Sequence, residues 1–293
     1  MKILFIAVFD PISTNVSQSK GFKENGHEVI EYDYRKKLIE FNSVEKRDDD
    51  IINLVKTIKP NLVLFSKCND IDVRVVDECN KVSKTFLWYM DPVNNEFSLS
   101  LIQKIKKCNL VFCALWDSFE KCKIYGGNKV HFLQEGFDHI QNYPIETEKY
   151  YDVSFIGGLR NKRFEYHQHL NFTVIDDAYG EKHSLMVSKS KINLNFTEGG
   201  TSDRTYKVLA SKGFLLTEPW PNMEKDFTIG KDLDIFTNVT ELKEKINYYL
   251  SNDEERLKIA ENGYKTVQKF SRINWAKEIL KKYYENNNQL WFI

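Results

Sequence analysis

Short apolar runs alternate with amphipathic stretches from one end of this chain to the other, and that alternation limits the fold more than any single motif. Lys2 to Phe9, Glu28 to Tyr34, Leu62 to Ser66, Thr85 to Tyr89, Leu110 to Ala114 and Lys129 to Leu133 read as strands. Between them Asn15 to Asn25, Asp50 to Lys59, Val73 to Lys81 and Leu99 to Lys107 read as helices, the first stopped by Gly26 and the second by Pro60. Such strand–helix alternation means a parallel sheet covered by helices.

The pattern breaks at Gln141 to Tyr150, a polar stretch of mixed charge that contains Pro144 and reads as a linker. It then restarts. Tyr151 to Ile156, Phe172 to Ile175, Ile192 to Phe196, Phe214 to Thr217 and Asp234 to Phe236 read as strands. Arg163 to Leu170, Leu185 to Ser190, Arg204 to Lys212, Thr240 to Leu250, Asp253 to Lys269 and Arg272 to Glu285 read as helices. The expected fold class is therefore α/β, with two Rossmann-like domains, 1–143 and 150–270, facing across a cleft. Open parallel sheets bind ligands beyond the carboxyl ends of their strands, and clefts between domains are common ligand sites.

Composition narrows the partners. Acidic and basic residues balance at 42 each in 293 residues, so no overall field draws the chain to nucleic acid or an anionic membrane. No apolar run reaches the roughly 20 residues of a membrane helix, and Met1 to Phe9 reads as a first strand rather than a signal peptide. Cys68, Cys79, Cys108, Cys113 and Cys122 show no C-x-x-C pair and no zinc spacing, and read as free thiols of a reducing cytoplasm.

Two stretches carry chemistry. In Asn195 to Glu218 a strand enters the loop Glu198-Gly199-Gly200-Thr201, and Ser202 or Asp203 can cap the helix that follows. Helix N-termini attract anions. Arg204 and Lys207 share a face of the first turn, where the helix dipole opposes cations, so a bound diphosphate would explain them. A solvated basic face offset by Asp203 is the plainer reading. In Tyr151 to Arg163 an apolar strand runs into Gly157-Gly158, followed by Arg160, Lys162 and Arg163. The glycines allow close backbone approach and the cations can clamp phosphates. A plain turn with surface cations is the alternative. Parallel topology brings both stretches to one sheet edge.

The second half resembles the CgeB-like (spore maturation protein) glycosyltransferases of GT-B fold. The matching pieces are YDVSFIGG, SKINLNFTEG, RTYKVLASKGFLLTE and KINYYLSNDEERLKIAENGYKTV, with weaker matches at WYMDP and EGFDHIQNYP. The resemblance implies a nucleotide-sugar donor, no further cofactor, retention of anomeric configuration, and a last helix, 271–293, packed back on the first domain. It places Arg204 before the donor-site helix and Gly157, Gly158 and Arg160 on the donor-phosphate turn. Lys207 departs from the family, which usually has a glutamate there to hold the donor ribose. Lysine cannot accept those hydroxyl bonds, and Glu198 is the nearby substitute.

Candidate catalytic groups are Asp91, before Pro92, and Asp138 with His139, after Gly136. Each can orient an acceptor hydroxyl or act as a base, and each has a plainer role as a turn or cap residue. Asp48-Asp49-Asp50 reads as a solvated run capping a helix. Asp70-Ile71-Asp72 and Asp232-Leu233-Asp234 are chance triplets more often than metal sites, so no metal is expected. His167 and His169, two apart on a helix, point to different faces. The expected function is metal-independent glycosyl transfer from a nucleotide-diphosphate sugar to an acceptor: a glycan, a protein or a small molecule. A non-catalytic nucleotide- or sugar-binding module, and a glycosyltransferase acting on nucleic-acid bases, are the other readings.

Overall fold

The computed structural model describes residues 1–92, 97–197 and 200–287. The chain divides into two compact units, one of residues 1–134 and 272–293 and one of residues 135–271. The expected domain borders at 143 and 150 thus fall inside the second unit. Residues 135–150 lie along it because their polar groups are used there. Ser184 Oγ donates to the Gln141 carbonyl at 2.9 Å, and Lys149 Nζ donates to the Ser188 and Ser190 carbonyls at 2.7 and 3.0 Å.

The first unit holds a parallel sheet of β1 (Lys2–Ala7), β2 (Glu28–Asp33), β3 (Leu62–Ser66), β4 (Lys84–Tyr89), β5 (Leu110–Cys113) and β6 (Val130–Phe132). Its order is β2-β1-β3-β4-β5-β6, so the direction of winding reverses between β1 and β3. Both faces are apolar. β3 is buried at every residue, as a strand covered on both sides must be. The covering helices are α1 (Thr14–Glu24), α2 (Tyr34–Phe41), α3 (Val44–Ile58), α4 (Val73–Asn80), α5 (Leu99–Lys107), α6 (Trp116–Gly126) and, from the far end of the chain, α12 (Arg272–Asn286).

Two of these helices escape the sequence pattern. α2 follows β2 directly, capped by Asp33, and leaves Ile39 82% exposed, so it has no apolar stripe to read. α6 starts from Leu115, which offers no capping side chain. A correction concerns Asp48-Asp49-Asp50. α3 is capped earlier, by Ser43 accepting from the Lys46 amide at 3.2 Å, and Asp48 is a buried mid-helix residue bonded to Arg47.

α12 docks on α1 at Gly21. A Cβ there would lie 2.4 Å from the Arg272 carbonyl oxygen, so only glycine lets the two helices approach this closely. The contact buries Trp275, Ala276, Ile279 and Leu280 against Phe22, Phe86 and Trp88. Each large apolar side chain so buried contributes about 1.5–3 kcal/mol.

The second unit holds β7 (Tyr151–Ile156), β8 (Thr173–Ile175), β9 (Ser190–Asn195), β10 (Leu215–Thr217) and β11 (Asp234–Ile235), all parallel, in the order β11-β10-β9-β7-β8. Its helices are α7 (Lys162–Leu170), α8 (Glu181–Ser188), α9 (Asp203–Ala210), α10 (Val239–Ser251) and α11 (Asp253–Val267). The expected strands and helices are present here with small shifts at their ends. All five cysteines lie buried in the first unit as free thiols. Among the described residues no helix is long and apolar enough to cross a membrane.

Candidate functional site

The carboxyl edge of the second sheet gathers most of the expected donor residues. β7 runs into Gly157, whose φ is +138°, a conformation that side chains rarely tolerate. The space where its Cβ would stand is taken by Arg204. That Cβ would lie 2.8 Å from Arg204 Nη2. The two stretches singled out in the sequence therefore meet in one contact.

Arg204 is not the solvent-facing cation that its place in a first helical turn suggests. It is half-buried. Nε donates to the Ile156 carbonyl at 2.7 Å, Nη1 donates to Asn195 Oδ1 at 3.0 Å, and the guanidinium lies 4.7 Å over the Phe155 ring. Burial lowers its pKa to about 10, with Asp203 opposing that shift and Arg163 adding to it, so it stays charged at neutral pH. These two hydrogen bonds go to neutral oxygens.

Asn195, the last residue of β9, is the hub beneath this edge. Its Nδ2 donates to Thr205 Oγ1 at 3.3 Å and to Thr217 Oγ1 at 3.1 Å, and Thr201 Oγ1 donates to Thr205 Oγ1 at 3.1 Å. Ser202 stands at the N-cap of α9, but its hydroxyl donates to Asn195 Oδ1 at 3.4 Å instead of accepting from the helix. Ser202 therefore supplies no cap bond, and Asp203 is the acidic residue of the first turn of α9. Gly200 and Thr201 are buried in the approach to this turn, while Glu198 and Gly199 lie outside the described residues.

Lys207 is paired within its own helix. Its Nζ lies 2.5 Å from Asp203 Oδ2, one turn back, which cancels the like-charge conflict expected from sequence. Arg160 is exposed beyond Gly158, and Gly158 is half-buried.

Sequence reading passed over three residues. Glu218, at the end of β10, accepts from the Thr197 amide at 2.8 Å and pairs with Lys162 at 2.7 Å. His183, in α8, is 5% exposed, and its Nδ1 has no hydrogen-bond partner. Burial first, then the Lys207 charge, lowers its pKa to about 3, so it is a neutral imidazole near the first turn of α9. Asn195 had a readable signal, a polar residue closing a buried strand. His183 had none.

The catalytic candidates are divided between the units. Asp91, past the carboxyl end of β4, is ion-paired with Lys67 at 2.5 Å. Asp138 is buried in a turn of the second unit, where Oδ1 accepts from the Ile140 amide at 2.9 Å and its carbonyl accepts from the Gln141 and Asn142 amides. That is turn chemistry. His139 beside it is half-buried. The D-x-D triplets serve structure. Asp70 bonds Arg47, Asp72 caps α4, Asp232 holds the Thr228 amide, and Asp234 holds Lys245 and Tyr249.

Comparison with solved structures decides the fold. The chain superposes on Anabaena HepE in complex with UDP and glucose with a TM-score of 0.67 at 12% identity, covering 96% of this chain and 99% of that one. For a glycosyltransferase from Rickettsia africae the TM-score is 0.67 at 11% identity, with 99% of each chain covered. For the sucrose-phosphate synthase of Thermosynechococcus elongatus it is 0.72 at 10% identity, covering 98% and 99%. The fold is GT-B. Within this GT-B chain, residues 142–281 match the family described as glycosyl transferase-like. No curated protein matches it. The matched segment contains the Gly157–Arg204 contact, the Asn195 hub and Lys207.

Proposed function

We propose that this GT-B chain is a glycosyltransferase that takes a hexose from a nucleotide-diphosphate sugar. The observation that carries the reading is the Gly157 turn closed against Arg204 at the carboxyl edge of the second sheet. There a guanidinium whose hydrogen bonds go to neutral oxygens, an open backbone turn and the first turn of α9 converge, and each favours a diphosphate. HepE was solved with UDP-glucose on the same fold, which makes a uridine donor the first to test. Arg160, exposed just beyond the turn, is a further cation for the phosphates, and the loop through Gly200, Thr201 and Ser202 lines the approach. Glu198 and Gly199 complete that loop in sequence.

Stabilising the leaving diphosphate is the main catalytic device in this reading, and cations and N–H dipoles supply it without a metal. Transfer with retention follows from the family resemblance. Asp91 is the acceptor-side carboxylate, and Asp138 acts by shaping its turn. A neutral overall charge suits a glycan or small-molecule acceptor better than nucleic acid. Mass spectrometry of a donor panel tests the reading. Nucleotide diphosphate should be released from at least one UDP- or GDP-hexose, at an unchanged rate in excess EDTA. Loss of turnover in EDTA, restored by manganese, would reject metal independence.

One observation favours a non-catalytic binding module. The Lys207–Asp203 pair occupies the place where the resemblance implies a ribose-holding glutamate. Nucleotide binding without any donor turnover would decide for that module.

A further inference from the structure

The carboxyl end of β3 carries an arrangement that stability does not explain. Lys67 and Cys68 both adopt left-handed backbone, at φ +60° and +54°, with no glycine to ease it. Two fully buried cations hold the turn. Lys104, 1% exposed, donates from Nζ to the Cys68 carbonyl at 2.6 Å, the Asn69 carbonyl at 3.2 Å and Ser100 Oγ at 3.0 Å. Arg47, 0% exposed, donates to Asp70 Oδ2 at 2.7 Å, the Asp70 carbonyl at 2.8 Å and Asp48 Oδ1 at 2.7 Å. Asp48 in turn accepts from the Asp72 amide at 3.0 Å.

What this clamp displays is one exposed ion pair, Lys67 Nζ to Asp91 Oδ1, with side chains 32% and 37% exposed. Asp91 is itself fixed, its carbonyl accepting from the buried Ser118 hydroxyl at 2.9 Å. An ion pair this exposed returns little stability, while strained backbone and buried charges both cost it. Strain kept at the carboxyl edge of a parallel sheet is a mark of a working site.

We propose that the Lys67–Asp91 pair is the acceptor subsite and that Lys67 determines its specificity. The proposal rests on the glycosyltransferase reading. An ammonium donor beside a carboxylate acceptor matches two neighbouring hydroxyls of a sugar, one accepting from Lys67 and one donating to Asp91. The pair carries no net charge, so it fits a neutral carbohydrate and disfavours an anionic one. The Arg47–Lys104 clamp holds the spacing of the two groups before the acceptor arrives, which reduces the ordering cost of binding.

The test uses the full chain with UDP-glucose and GDP-mannose as donors and free glucose, galactose and mannose as acceptors. The parent should transfer to at least one hexose. Lys67→Met should raise the KM for that hexose at least tenfold and leave nucleotide-diphosphate affinity, read by calorimetry, within twofold. Lys67→Arg should restore most of the loss, because it keeps the charge and the donor. An unchanged hexose KM in Lys67→Met overturns the proposal. So does a parent that binds nucleotide diphosphate and glycosylates no hexose. A parent that binds no nucleotide diphosphate fails earlier, on the glycosyltransferase reading itself.

Discussion

The turn after β7 and the turn after β3 sit at corresponding edges of two parallel sheets and are built from opposite materials. After β7 a glycine opens the backbone, and a half-buried arginine fills the opening while bonding neutral oxygens. After β3 there is no glycine. Lys67 and Cys68 are held left-handed by buried Arg47 and Lys104, and the charge on display is already paired with Asp91. The first edge keeps a positive charge in reserve. The second neutralises itself. A diphosphate suits the one, and a neutral hydroxyl-bearing molecule suits the other.

The comparison breaks most readily at Arg47. Arg47→Met leaves Asp48 buried without its partner, and losing one member of a buried pair costs about 3–5 kcal/mol. Urea unfolding, followed by hydrogen exchange at the β3 and β4 amides, should show that loss in the first unit. Unchanged protection there would mean that the turn after β3 holds itself.

The second unit is sensitive to acid through His183. Its pKa in the folded chain is about 3, below the ordinary value of 6.5, so the unfolded chain binds the proton first. The stability due to neutral His183 is complete above pH 6.5 and is lost as pH falls toward 3. The loss is about 1.4 kcal/mol per pH unit across that window. His183→Gln should flatten the dependence in urea titrations between pH 6.5 and 4.5. An equal slope in that variant would sink the assignment.

Arg204→Ala removes the reserve charge. Nucleotide-diphosphate affinity should fall roughly ten- to a hundredfold, the equivalent of about 1.4–2.8 kcal/mol. Its place in a first helical turn suggests that the fold tolerates the loss, because a dipole conflict is relieved. The geometry reverses that. Ile156 and Asn195 lose a charged donor, so the second unit should also lose about 1.5–3 kcal/mol. Calorimetry and melting curves on the same variant separate the two effects, and unchanged affinity for every nucleotide that binds would reject the donor site.

Lys207→Glu is the smallest change. It exchanges an attractive pair with Asp203 for a repulsive one, at about 0.2–0.5 kcal/mol each way. It also supplies a carboxylate where the resemblance implies a ribose contact. Uridine diphosphate should bind a few-fold more tightly. Weaker binding would mean that Lys207 leaves Asp203 to hold phosphate.

The sequence by itself determined the two parallel-sheet units, every strand among the described residues, and the meeting of the Gly157 and Arg204 stretches. Period, glycine placement and topology are local properties of a chain, and a parallel sheet sends the end of each strand to one edge. Tertiary structure alone decided what each charge does there. Arg204, Lys207 and Asp48 look alike in sequence, as charged residues on helices. The first became a half-buried tether, the second an ion-paired neighbour and the third part of a buried clamp. Burial and partner choice depend on residues far along the chain, such as Ile156 for Arg204 and Asp70 for Arg47. Electrostatic energy follows distance in space and local dielectric, and neither is written in sequence spacing.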